Sequence, residues 1–214
     1  MAEKISVMLV DDHAVVRTGY RLLLARSGNI EVTCEAERGE EACQLYAEKS
    51  PDVTVMDLSL PGIGGLATIR RICSRDPLAK ILTFTMHDEP VYVVRALEAG
   101  ANGFITKSCA PEMLVEAVER IARGEKYIEP HIAQRLALQT IACEDVAALN
   151  NLSAREFDVF CLLAQGYTTR EVADELSLGY KTVANYSTII KSKLNVNTSA
   201  DMARIAYQYG IFKT

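Results

Sequence analysis

The sequence predicts an α/β domain built on a five-stranded parallel sheet, followed by a small all-α domain of four helices. Three observations carry this. Residues 1–125 alternate short apolar runs with amphipathic helical stretches. From residue 152 onward no strand pattern is visible. Between the two, residues 124–149 contain Pro130, a helix-compatible piece at 131–141, and a small, polar, alanine-rich stretch.

The strands are expected at 5–10 (ISVMLV), 31–36 (EVTCEA), 53–56 (VTVM), 80–84 (KILTF) and 103–106 (GFIT). Helical patterns lie between them at about 14–27, 39–49, 65–75, 89–99 and 110–123. The last shows Met113/Leu114, Ala117/Val118 and Ile121 at a three-to-four spacing. Pro111 falls in its first turn, where a missing N–H is harmless, and Gly124 follows its end. Strands and helices in strict alternation mean βαβ units, hence a parallel sheet covered on both faces. The tail helices are expected at 153–165, 169–176, 180–194 and 198–209. Ser153 followed by Glu156 is a capping box, and Gly166 ends that helix.

Composition narrows the class. With 49% hydrophobic and 24% charged residues the chain is an ordinary globular protein. Its apolar runs reach about six residues, far short of a membrane span. No apolar leader opens the chain, so the expected location is cytoplasmic, with no membrane partner. The six cysteines (Cys34, Cys43, Cys73, Cys109, Cys143, Cys161) form no CxxC pair and have no histidine at ligand spacing. Neither a zinc site nor a disulfide framework is expected. His13, His87 and His131 are scattered and read as structural or solvent-facing. Residues 1–130 hold 20 acidic against 15 basic residues, while 150–214 hold 6 against 7. Within the tail, 180–195 carries Lys181, Lys191 and Lys193 and no acid.

Polar residues gather at the strand ends. Asp11 and Asp12 follow the first strand, Asp57 the third, Thr85 the fourth and Lys107 the fifth. Carboxyl ends of parallel strands are where open α/β sheets hold ligands. Clustered carboxylates repel one another, and a hard divalent cation bound through oxygen relieves this. A carboxylate can also attack phosphorus to form an aspartyl-phosphate. Taken singly, Asp11 and Asp12 read as helix caps, and Asp57 and Lys107 as an ordinary strand-end acid with its surface partner.

The full set resembles a receiver domain of two-component signalling. The motifs are VDDH (10–13), MDLSLPGIGG (56–65), Thr85 in FTMH and Lys107 in GFITK, and the likeness spans about residues 4–124. It implies a flavodoxin-like fold with Asp57 as phosphoacceptor. It also implies Mg²⁺ held by Asp11, Asp12, Asp57 and the main-chain carbonyl of Ser59. Thr85 and Lys107 would sense the phosphoryl group, and Phe104 holds the switch-aromatic position.

The tail resembles a LuxR-type helix-turn-helix, its motif helices at about 169–188. The carrying residues are Leu152, Arg155, Glu156, Gly166, Glu171, Val172, Ala173, Leu176, Leu178, Thr182, Val183, Lys193, Leu194 and Val196. Receiver and tail together resemble the NarL/FixJ class of response regulators. On 180–194, Val183, Tyr186/Ser187, Ile190 and Leu194 form a stripe for the core. Lys181, Asn185, Thr188 and Ser192 form another face, flanked by Ala184 and Lys191. Such a face suits a major groove. The expected DNA contacts are Thr168, Thr169, Lys181, Thr182, Ala184, Asn185, Thr188 and Lys191, with the amides of Thr168 and Thr169 holding phosphate.

Three departures stand out. Ala184 replaces a frequent Lys, Tyr186 a frequent His, and Thr198/Ser199 the usual Arg. Tyr186 is shared with some regulators of the GacA/UvrY-like group. Fewer cations imply modest affinity per subunit, so a homodimer on phosphorylation is expected. The implied organisation is a receiver at 4–124, a linker at 125–149 and a DNA-binding domain at 150–214. The implied partners are a histidine kinase and double-stranded DNA. A protein partner for the tail is the alternative. No nucleophile–base or metal-ligand set is present in 150–214, so the chain is not read as an enzyme.

Overall fold

The apolar runs pair as parallel strands. In the computed structural model, which describes residues 4–142, 149, 151–208 and 211, they are β1 (Ile5–Val10), β2 (Ile30–Ala36), β3 (Val53–Met56), β4 (Ile81–Thr85) and β5 (Gly103–Thr106). The helices between and after them are α1 (Ala14–Ala25), α2 (Gly39–Lys49), α3 (Gly65–Arg75), α4 (Pro90–Ala99) and α5 (Pro111–Ala122). A sixth strand, β6 (Tyr127–Ile128), pairs parallel to β5. The order is β2-β1-β3-β4-β5-β6. The expectation of five strands is therefore corrected to six. Two residues of strand are too few to show a period, which is why β6 escaped the sequence pattern.

One face of the sheet packs Val7, Leu9, Val53, Val55, Leu82 and Phe84 against Leu24 of α1 and Leu114, Val118 and Ile121 of α5. Burying each such side chain contributes about 1.5–3 kcal/mol. Val53–Met56, Ile81–Thr85 and Gly103–Thr106 are buried at every position, as strands covered on both faces must be. Thr85 is thus the last residue of β4 rather than the residue after it.

The stretch expected to connect the domains holds β6 and then α6 (Pro130–Ala142). The chain divides into two compact units, residues 1–136 and 137–214.

In the second unit lie α7 (Ala154–Ala164), α8 (Thr169–Glu175), α9 (Tyr180–Leu194) and α10 (Ser199–Gln208). Ser153 and Glu156 form the expected capping box, with Glu156 Oε2 accepting from the Ser153 amide at 2.6 Å. Thr168 and Glu171 form a second box that begins α8. Phe157, Phe160, Val183, Ile190 and Met202 are fully buried. The α9 stripe faces inward as its period requires: Leu194 is buried and Tyr186 and Ser187 are partly so. Ala173 and Val183 are buried where α8 and α9 pack. No helix among the described residues is long and apolar enough to cross a membrane.

Candidate functional site

The sheet brings the strand-end residues of the first unit together. β1 lies between β2 and β3, so Asp11 and Asp57 emerge side by side, and the Asp57 amide donates to Val10 O at 2.9 Å. β5 delivers Lys107 across β4: its amide donates to Thr85 O at 2.8 Å. The Lys107 ammonium then reaches Asp11 Oδ2 at 2.6 Å and Asp57 Oδ2 at 2.5 Å. These three side chains are 9%, 7% and 4% exposed. Burial alone pulls the Lys107 ammonium down, but Asp57 and Asp11 outweigh it and hold its pKa above the ordinary value. Lys107 thus sets a cation between the Asp11 and Asp57 carboxylates, and a carboxylate oxygen is a nucleophile for phosphorus.

The surrounding groups fix this geometry. Asp57 Oδ1 accepts from the Ser59 amide at 3.2 Å. The Ser59 hydroxyl lies 3.1 Å from His87 Nε2, and the His87 ring stacks on Tyr92 at 4.0 Å. Thr85 is fully buried and its hydroxyl accepts from the His87 amide at 3.4 Å. Phe104 is fully buried in β5. Gly65 opens α3 hard against the Asp57 main chain. A Cβ there would lie 2.1 Å from Asp57 O and 2.5 Å from Leu58 Cα, so any other residue would displace the strand end.

Two residues were not foreseen. Arg17 of α1 is buried and donates to Asp11 O at 2.5 Å while pairing with Glu37 at 2.6 Å. It braces the loop that presents the acids, and nothing in the sequence marks it beyond its place in a helix. His13 was read as structural or solvent-facing; its Nδ1 lies 2.8 Å from Asp12 Oδ1 and 3.3 Å from Asp11 Oδ1. Ligand atoms of Asp11, Asp12 and His13 fall within 4.8 Å of one another. Asp12 is the exposed carboxylate of the set.

In the second unit Lys181, Thr182, Asn185 and Thr188 are exposed on α9, and Ala184 and Lys191 partly so. The Thr188 hydroxyl donates to Ala184 O at 3.1 Å, leaving its acceptor lone pairs outward. One expectation needs correction. The Thr168 amide is not open to phosphate: it donates to Glu171 Oε2 at 2.7 Å, and that carboxylate stands at the helix start. The T-x-x-E spacing at 168–171 was the available warning. Lys193, counted in the basic stretch, is bound to Glu156 Oε2 at 2.7 Å and Asn151 O at 3.1 Å.

Residues 7–119 match the model of the response regulator receiver domain, and residues 150–206 match that of the bacterial regulatory proteins of the luxR family. The chain belongs to the response regulators. It is 41% identical to the transcriptional activator protein ExaE of Pseudomonas putida over 97% of this chain and 98% of that one. It is 35% identical to the response regulator GacA of Pseudomonas aeruginosa over 97% of each. It is also similar to RcsB of Salmonella enterica serovar Typhimurium, solved bound to promoter P1flhDC in the presence of phosphomimetic BeF3−. That likeness has 25% identity, covers 98% of this chain and 100% of that one, and has a TM-score of 0.68. A receiver joined to a LuxR-type helix-turn-helix is the architecture of a phosphorylation-dependent transcriptional regulator.

Proposed function

We propose that this response regulator accepts a phosphoryl group on Asp57 and that the modification controls DNA binding by α9. The bridging of Asp57 and Asp11 by Lys107 carries the reading: it sets a cation against the nucleophile's carboxylate in a site that excludes most water. The donor is the phosphohistidine of a partner kinase. An Asp57 carboxylate oxygen attacks phosphorus as the P–N bond breaks, and the electron pair returns to the donor imidazole. Lys107 then passes from Asp57 Oδ2 to a phosphoryl oxygen, and the Thr85 hydroxyl bonds another. Phe104 is the aromatic that responds to the change in β5.

The oxygen donors of Asp11, Asp12 and Asp57, with the Ser59 carbonyl, suit Mg²⁺, a cation that takes one or two carboxylates and keeps waters. Bound there, Mg²⁺ would neutralise charge on the phosphoryl oxygens. The His13 imidazole is a poor ligand for so hard a cation, and serves better as the partner of Asp12. Phosphoryl transfer to Asp57 modifies the protein itself rather than turning over a substrate.

Residues 4–124 act as the receiver, 125–149 as the connection and 150–214 as the reader of DNA. α9 spans about 22 Å, enough to lie along a major groove. Asn185 meets base edges, while Thr169, Lys181, Thr182, Thr188 and Lys191 hold phosphates with Ala184 close to the groove floor. With Lys193 tied to Glu156, each subunit brings few cations, so two subunits bind together on paired half-sites. The protein works in the cytoplasm, where kinase and DNA are both within reach.

The test is labelling with acetyl phosphate and Mg²⁺. Label stable to acid and lost to hydroxylamine is expected on Asp57, and none in Asp57→Ala. Equal labelling of the variant contradicts the assignment.

A further inference from the structure

We infer that Glu129 and Arg135, at the start of α6, clamp the two phosphoryl-reading elements of the receiver and thereby oppose the phosphoryl-bound state. The inference deepens the reading of Asp57 above and rests on it.

Two contacts on different elements carry it. Glu129 stands between β6 and α6 and is 5% exposed. Its Oε2 accepts from both the amide and the hydroxyl of Thr106, each at 2.8 Å. Its own amide donates to Phe104 O at 3.0 Å. A parallel ladder would place a main-chain carbonyl opposite the Thr106 amide, and here a carboxylate takes that place. Charge-assisted bonds of this kind are stronger than neutral ones. Thr106 is the covalent neighbour of Lys107. One residue outside the five expected strands therefore holds both Phe104 and the approach to Lys107.

The second contact is Arg135 Nη1 to Asp88 Oδ2 at 2.8 Å. Asp88 lies three residues after Thr85, in the loop whose His87 meets Ser59. Both side chains of the pair are about one-third exposed or less, at 34% and 27%.

A phosphoryl group on Asp57 draws Lys107 off Asp57 Oδ2 and turns the Thr85 hydroxyl away from the His87 amide. Those movements reach Thr106 through the chain and Asp88 through its loop. Both ties are made in the geometry seen here, with Lys107 on Asp57, and both are loosened by the other. α6 continues from Arg135 to Ala142, past residue 136 where the first compact unit ends. Coupling of this kind is reciprocal: if the phosphoryl group weakens the clamp, cutting the clamp favours the phosphoryl group.

The test titrates full-length protein with beryllofluoride in the presence of Mg²⁺, followed by calorimetry. In parallel, amide exchange of residues 130–136 is measured with and without beryllofluoride. Arg135→Ala is expected to lower the beryllofluoride midpoint about two- to five-fold, within the range of one partly exposed ion pair, with Arg135→Lys restoring it. Glu129→Gln, which keeps an acceptor for Thr106 but loses the charge, is expected to shift the midpoint the same way. Beryllofluoride is expected to speed exchange at 130–136 in the wild type. An unchanged or raised midpoint in Arg135→Ala, beside a responsive wild type, overturns the clamp alone. A wild type that does not respond, or an Asp57→Ala that responds equally, overturns the Asp57 reading and the clamp with it.

Discussion

Asp11, Asp57 and Lys107 each have side chains under a tenth exposed, whereas Lys181, Asn185 and Thr188 stand in solvent. The same chemical vocabulary thus works under two regimes. In the pocket each charge is stripped of water and held by its neighbours, so removing one leaves the others uncompensated. On α9 the charges stay hydrated until a polyanion releases its counterions to them. The pocket should respond steeply to single changes and weakly to salt. The α9 face should respond in small additive steps and strongly to salt.

Lys107→Ala gives the largest expected effect. It removes the only cation seen between Asp11 and Asp57 among the described residues, and should slow labelling of Asp57 by acetyl phosphate about 10²-fold. A change under threefold would break the contrast from the pocket side. Lys181→Glu comes next. It should weaken DNA binding about tenfold and flatten the slope of log Kd against log salt by roughly one to two. Fluorescence anisotropy at several salt concentrations reads both; weakening without a change of slope would mean that Lys181 does not face phosphate.

The smallest effect is that of Glu156→Gln, about 0.5–1 kcal/mol off the stability of the second unit in urea melts, since Gln keeps the capping-box acceptor and loses only the charge facing Lys193. Burial pushes the Glu156 carboxyl up, but bonds from Lys193 and Ser153 outweigh it and hold it below the ordinary 4.5. A carboxylate so depressed stabilises the fold above the ordinary value and loses that contribution as pH falls through its own lower one. The gap between wild type and variant should therefore be full at pH 7 and narrow as pH falls below 4.5. A gap independent of pH would show that the charge of Glu156 contributes nothing.

Legibility in the sequence followed the same divide. Five strands, the flanking helices and the convergence of Asp11, Asp57, Thr85 and Lys107 were readable, because period and strand-end position are local patterns that topology turns into a site. β6 was not, since Tyr127 and Ile128 are strand only by virtue of pairing with Gly103 and Phe104. Glu129 falls within the stretch expected as linker, and its carboxylate is bound by Thr106, 23 positions earlier. Likewise Lys193 belonged to a basic stretch by sequence and to Glu156, 37 positions earlier, by structure. The inward stripe of α9 was predictable from helical spacing, and so was its exposed polar face. What sequence pattern withholds is which charges are already spent on one another.

The proposed control of α9 by a phosphoryl group on Asp57 joins the two regions. The most direct measurement is selection of duplex DNA from a random pool by the full chain with Mg²⁺, with and without beryllofluoride, beside Asp57→Ala. Selective binding that rises with beryllofluoride in the wild type and not in the variant is the predicted result. Absence of selective binding in both states would contradict the account and point to a protein partner for the tail.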